Sequence, residues 1–369
     1  MLRLQGALPE RYTTADPDEL ATWIGRAKAR LGERLMILGH HYQRDEVMRW
    51  ADARGDSFGL SRQAAASQAE FVVFCGVHFM AESADILTGP HQQVVLPDLN
   101  AGCSMADMAD IDSVEEAWDV LATATDTDRV VPVTYMNSSA ALKAFVGRHG
   151  GVVCTSSNAR AVLRWALGDG DNPGVGDQVL FFPDQHLGRN TGFQLGYSEP
   201  DMAVWNPRLD RGGLDDATLK SATLLLWKGH CSVHQRFRPQ HVEAFRAEHP
   251  DGIVLVHPEC AHDVVELADQ VGSTDFLIRA VADAPAGATI GVATEIHLVK
   301  RLDDETPDKS VVCLDPLICP CSTMFRIDAA HLAWVLEGLV DGEVRNRITV
   351  DEETARWARV ALERMLATV

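Results

Sequence analysis

MILGHHYQ (36–43), VPVTYMNS (131–138) and VLVHPECA (254–261) share one plan: a β-rich apolar run that stops in a polar cluster. Runs that are apolar throughout suit parallel strands covered by helices on both faces. A helical stretch follows each, then a small hydroxyl turn: GDS at 55–57, CTSS at 154–157 and GST at 272–274. A second strand then closes in another polar cluster, in VVFCGVHFMAE (72–82), VLFFPDQHLG (179–188) and TIGVATEIHL (289–298). The last strand of each series runs into a cysteine, Cys103, Cys231 or Cys321. Segments between strands, such as 15–32 and 239–250, carry apolar residues at helical spacing.

The spacings agree with a threefold repeat. His40 and Ser57 are 17 residues apart, as are His257 and Thr274. Ser57 lies 46 residues before Cys103, and Thr274 lies 47 before Cys321. The middle series is longer, and its extra residues fall at 189–223, where Gly, Pro and Asn are frequent. The expected fold is α/β. It has three similar three-layer αβα domains with small parallel sheets around a pseudo-threefold axis, their carboxyl ends facing that axis. The domains are placed at 1–103 with 322–369, at 104–231 and at 232–321. The amphipathic stretches near 328–340 and 352–367 are expected to cover the first domain.

Composition narrows the function. Lys and Arg number 33 against 53 Asp and Glu, a net charge of −20, so no basic face for nucleic acid or an anionic membrane is expected. The first twenty residues hold no apolar core long enough for a signal peptide, and no run approaches 18 apolar residues. Eight cysteines in 369 residues are too sparse for a disulfide scaffold. Together these features point to a cytoplasmic enzyme whose cysteines are buried thiols, metal ligands or redox groups.

Cys75, Cys154 and Cys313 sit inside apolar strands and read as small hydrophobes. Cys103, Cys231 and Cys321 would converge, and three thiolates suit either a cubane iron–sulfur cluster or a zinc ion. Cys319 and Cys321 form CPC, which reads as two ligands, one ligand with a bystander, or a dithiol. A zinc-dependent lyase and an iron sensor therefore stand beside a cluster-dependent enzyme.

GHHYQRDEV, GDSFGLSR, CGVHFMAESADIL, AGCSMADM, VTYMNSSAALKA, CTSSNA, FPDQHLG, KGHCSVHQRF, HPEC, GST and CPCSTM occur in that order. Together they resemble quinolinate synthase, from about residue 20 to the C-terminus. The resemblance implies condensation of iminoaspartate with dihydroxyacetone phosphate to quinolinate, phosphate and water, in de novo NAD biosynthesis. It implies one [4Fe-4S] cluster per chain on Cys103, Cys231 and Cys321, with one iron open to substrate as a Lewis acid. It also implies a transient contact with an L-aspartate oxidase. The family's substrate-binding positions fall on His40, Tyr42, Ser57, Tyr135, Met136, Asn137, Ser156, His257, Pro258, Glu259, Ser273 and Thr274. Three residues after the second cluster cysteine stands His234. His41 replaces an Asn common in the family, and the middle series is the long form.

Residue chemistry refines these roles. Glu259 is the first choice of general base, and Tyr42 and Tyr135 are candidate acids, alone or through His. His40, His234 and His257 would bind carboxylate or phosphate or relay protons. Ser57, Ser156, Ser273 and Thr274 precede helices, where capping and anion binding coexist. Glu82, Asp184 and Glu295 close the second strands and read as helix caps or inter-domain hydrogen-bonding groups.

Overall fold

The computed structural model describes residues 5–170, 172–317 and 320–368. The chain separates into two compact units, residues 1–103 with 319–351 and residues 104–318 with 352–369.

In the first unit, β1 (Leu35–His40), β2 (Ala53–Gly55), β3 (Phe71–Cys75) and β4 (Gln93–Val95) form a parallel sheet in the order β2-β1-β3-β4. A short strand, Arg347–Ile348, adds antiparallel to β4. The second unit carries two sheets. One contains β5 (Val130–Tyr135), β6 (Val152–Cys154), β7 (Gln178–Phe182), β8 (Met202–Trp205) and β9 (Leu224–Trp227), in the order β6-β5-β7-β9-β8. The other contains β10 (Ile253–Val256), β11 (Gln270–Val271), β12 (Thr289–Ala293) and β13 (Ser310–Cys313), in the order β11-β10-β12-β13. All pairings in both sheets are parallel. The architecture is thus α/β with three small, mainly parallel sheets, as the repeating strands imply.

Each sheet places its first strand between the second and third. Neighbouring connections then leave in opposite directions beyond the carboxyl ends of β1 and β3, β5 and β7, and β10 and β12, where open α/β sheets bind ligands. The repeat extends to single hydrogen bonds. Asp52 accepts from the Ile37 amide at 2.8 Å and returns its own amide to the Ile37 carbonyl at 2.7 Å. Asp269 does the same with Val254, at 2.7 and 2.9 Å. The extra middle residues supply β8, an edge strand beside β9, and the helix Asp216–Ser221. Among the described residues, no helix is long and apolar enough to cross a membrane.

The two C-terminal helices part company. Ala329–Val340 packs on Pro17–Leu31 in the first unit, as expected. Glu352–Ala367 instead lies on Ala140–Arg148 and β6 in the second unit, so residues 352–369 do not cover the first domain. Its amphipathic pattern required a buried face, now formed by Ala358, Ala361, Leu362 and Met365, but did not name the partner. Gly147 selects it. A Cβ at Gly147 would overlap the Trp357 carbonyl oxygen, so only glycine lets these helices approach. Arg364 seals the seam by donating to the Gly151 carbonyl. Gly147→Ala is expected to cost about 1–3 kcal/mol through overpacking, read as a fall in melting temperature. An unchanged melting temperature would show that the helices do not dock this way.

Candidate active site

In the second unit, the ends of β5 and β10 and the turn after Cys231 bring four predicted residues into one buried cluster. β5 delivers Tyr135, 5% exposed, and its loop is tightly held. The Met136 amide continues the ladder to the Cys154 carbonyl at 2.8 Å. Ser138 Oγ donates to the Tyr135 carbonyl at 2.8 Å, and the fully buried Lys143 ammonium donates to the Ser138 carbonyl.

After β10, His257 and Glu259 are 2% and 3% exposed. The Glu259 amide donates to His257 Nδ1 at 3.3 Å, which leaves the ring proton on Nε2. His40, at the end of β1 in the first unit, repeats this arrangement: its Nδ1 accepts from the Tyr42 amide at 3.1 Å. In both turns the residue three positions after the histidine donates its amide to the histidine carbonyl, Gln43 at 2.9 Å and Cys260 at 3.0 Å.

The Glu259 carboxylate joins the parts of the cluster. Tyr135 Oη donates to Oε1 at 2.6 Å, and His234 Nδ1 donates to Oε2 at 2.7 Å. His234 Nε2 meets Thr294 Oγ1 at 3.1 Å, and its ring stacks on His257 with centroids 4.4 Å apart. Burial pushes the Glu259 carboxyl up, but His234 and the two side-chain hydrogen bonds outweigh it and hold it below the ordinary carboxylate range. Burial, reinforced by His234, lowers His257 to about 3, so its ring is neutral at neutral pH.

Asp184, fully buried after β7, is pushed well up by burial and by the Glu259 charge. Two neighbouring buried carboxylates resist sharing full charge, so Glu259 is the ionised one. Asp184 caps the helix Gln185–Gln194, accepting from the His186 and Leu187 amides at 2.7 and 2.8 Å. Glu295 likewise caps Ile296–Glu305. Glu82 does not cap: it lies inside His78–Leu87, paired with His78 one turn earlier, because that helix starts four residues before it.

The thiols fall into two sets. Burial lifts Cys75 to about 12 and Cys313 to about 11, and it raises Cys154 and Cys260 as well. Cys103, Cys231 and Cys321 are half-buried and lie outside the strands. Cys231 Sγ and ligand atoms of His234 and Glu259 lie within 4.8 Å of one another, a donor set able to hold a metal ion. Gly229 allows the loop before Cys231 to press on the chain before Asp184, where a Cβ would overlap the Pro183 carbonyl oxygen. Cys319 lies outside the described residues.

Within the first unit, the buried Asp98 carboxylate accepts from the Asn100 amide and Nδ2, at 2.8 and 2.9 Å, and from Arg326 Nε at 3.0 Å. It thereby joins the loop leading to Cys103 to the turn following Cys321. Arg44 holds the same turn through the Phe325 carbonyl, at 3.1 and 2.6 Å.

The remaining predicted residues sit at strand ends. Ser156 follows β6, and Asn137 follows β5; both are half-buried. Ser273 caps the helix Thr274–Asp283 and is buried, like Thr274. Ser57 is buried too, but the cap is Asp56, which accepts from Gly59 at 2.7 Å; Ser57 is the first helical residue. Thr294 was not singled out from sequence, although it is the first polar residue after β12.

A family model described as Quinolinate synthetase A protein matches residues 23–367. The chain is 56% identical over 366 residues to the quinolinate synthase of Corynebacterium glutamicum, covering 99% of this chain and 91% of that one. Identity to the quinolinate synthase of Nocardioides sp. is 58% over 343 residues, covering 92% and 87%. Identity to that of Rhodopirellula baltica is 52% over 368 residues, covering 96% and 92%. These matches span every strand and both histidine turns, and the chain belongs to the quinolinate synthase family of enzymes.

Proposed function

We propose that this enzyme acts in the cytoplasm as a transferase of de novo NAD biosynthesis, condensing iminoaspartate with dihydroxyacetone phosphate to quinolinate, phosphate and water. The observation that carries the reading is a buried, ionised Glu259 held between the Tyr135 hydroxyl and His234. Ring formation requires removal of a C–H proton and departure of hydroxyl groups as water. Glu259 takes the carbon-bound proton as general base. Tyr135, already hydrogen-bonded to Glu259, gives its own proton to a leaving hydroxyl and recovers one from Glu259. His234 holds the carboxylate's second oxygen and keeps it aimed. Tyr42 is a second acid on the first unit.

Substrate anions need donors without bulk water. The neutral His257 offers Nε2–H, and His40 has the same tautomer by the same turn. Ser57 and Ser273–Thr274 stand at the starts of ten-residue helices, where amides and dipole favour phosphate or carboxylate. Met136, Asn137, Ser156 and Pro258 complete the binding set. An L-aspartate oxidase in transient contact would supply iminoaspartate.

Cys103, Cys231 and Cys321 would hold one [4Fe-4S] cluster. Their chemistry fits it: three thiols in loops, apart from the buried thiols whose pKa values burial raises. Ser104 and Ser232, which follow two of them, have hydroxyls 3.5 Å apart in the second unit. When bound, the cluster supplies a Lewis-acidic iron for a substrate oxygen. The test is anaerobic incubation of the iron-loaded enzyme with dihydroxyacetone phosphate and freshly generated iminoaspartate. Quinolinate is the expected product; its absence from fully folded, iron-replete enzyme would overturn the reading.

A further inference from the structure

Asn190 lies in the middle of the helix Gln185–Gln194, which follows β7, and is 1% exposed. Its Nδ2 donates twice, to the Pro258 carbonyl at 2.8 Å and to the Cys260 carbonyl at 2.9 Å. Those two carbonyls flank Glu259. Its Oδ1 accepts from His262 Nδ1 at 2.9 Å, and the His262 ring stacks on Phe193 of the same helix, centroids 4.0 Å apart and planes 18° from parallel. A flipped amide would set oxygen against two carbonyl oxygens, so the network fixes the orientation.

We propose that Asn190 is a positioning residue for Glu259, clamping the backbone on both sides of it so that the carboxylate stays on Tyr135 and His234. The inference rests on the reading of Glu259 as general base. The loop after β10 holds Pro258, which has no amide to donate, and it ends at the helix His262–Val265. Side-chain bonds orient the carboxylate oxygens, and the Glu259 and Cys260 amides tie the turn back to His257. The Asn190 amide adds what those bonds do not, fastening the two carbonyls that flank Glu259 to the helix Gln185–Gln194 with one planar group. The stacked His262–Phe193 pair in turn restrains the amide. Reactions that rely on a placed base lose rate steeply when it shifts by about 1 Å.

The test uses iron-loaded enzyme with matched iron content. Asn190→Leu strands two buried carbonyls and puts folding at risk, so Asn190→Ala, which leaves room for a bridging water, is the working variant. The expected result is a fall in kcat of about 10- to 100-fold with KM nearly unchanged. In a Glu259→Gln background the same substitution should cause no further loss of kcat, because the clamp acts only through Glu259. A merely structural role would lower kcat equally in both backgrounds and would overturn the proposal. A crippled Glu259→Gln beside a fully active Asn190→Ala would remove the clamp and leave the base in place. Wild-type kcat in Glu259→Gln would remove the base, and the clamp with it.

Discussion

Glu259→Gln is expected to lower kcat by about a thousandfold while the enzyme stays folded and keeps its iron. Glutamine has nearly the same shape, so packing around the cluster is preserved. Its carbonyl oxygen still accepts from Tyr135 Oη, now 2.6 Å from Glu259 Oε1. On the other side, a side-chain NH2 would face His234 Nδ1, and His234 can answer by moving its proton to Nε2, where Thr294 Oγ1 lies 3.1 Å away and accepts it. The buried polar groups therefore stay paired, and little stability is lost. What disappears is the basic oxygen. A neutral amide cannot take a proton from carbon at useful rates, so the loss belongs in kcat, not in KM. Steady-state kinetics with a thermal melt reads both. Activity within tenfold of wild type would remove Glu259 from the chemistry.

The residues of this cluster were legible because each falls in the polar cluster that ends a β-rich apolar run. Tyr135, His257 and Glu259 stand out for that reason, and parallel sheets expose strand carboxyl ends to ligands. Asn190 gave no such signal. It sits in a helix interior, its partners are backbone carbonyls some 70 residues away, and no periodicity encodes a bond of that kind. Ser57 was misplaced as a cap because Asp56 and Ser57 are both good capping types, and one residue of helix start separates them. Glu82 failed for a related reason: the strand ended at Cys75, earlier than its apolar continuation implied. The helix Glu352–Ala367 was correct as an element, and its partner was set by Gly147, a glycine whose importance shows only when a second backbone lies on it.

Loss of any one of the three thiols proposed to hold the cluster is expected to have the largest effect of all. Cys103→Ala, Cys231→Ala and Cys321→Ala should each reduce anaerobically purified enzyme from about four irons per chain to almost none, bleach its brown colour and abolish quinolinate formation. A cubane held at three corners has no spare protein ligand, so removing one leaves two bonds to a large, easily hydrolysed cluster. Cys75→Ala should keep iron, colour and activity. Its thiol lies inside β3, fully buried, and a pKa near 12 keeps it protonated and unfit to bind metal. Cys319→Ala should also keep the cluster. Iron and sulfide analysis beside the absorption spectrum separates the alternatives. A colourless protein with one zinc would favour a zinc ion held by the same three thiolates. A brown protein that forms no quinolinate would favour a sensor. Retention of a full cluster in Cys231→Ala, or its loss in Cys319→Ala, would overturn the ligand assignment.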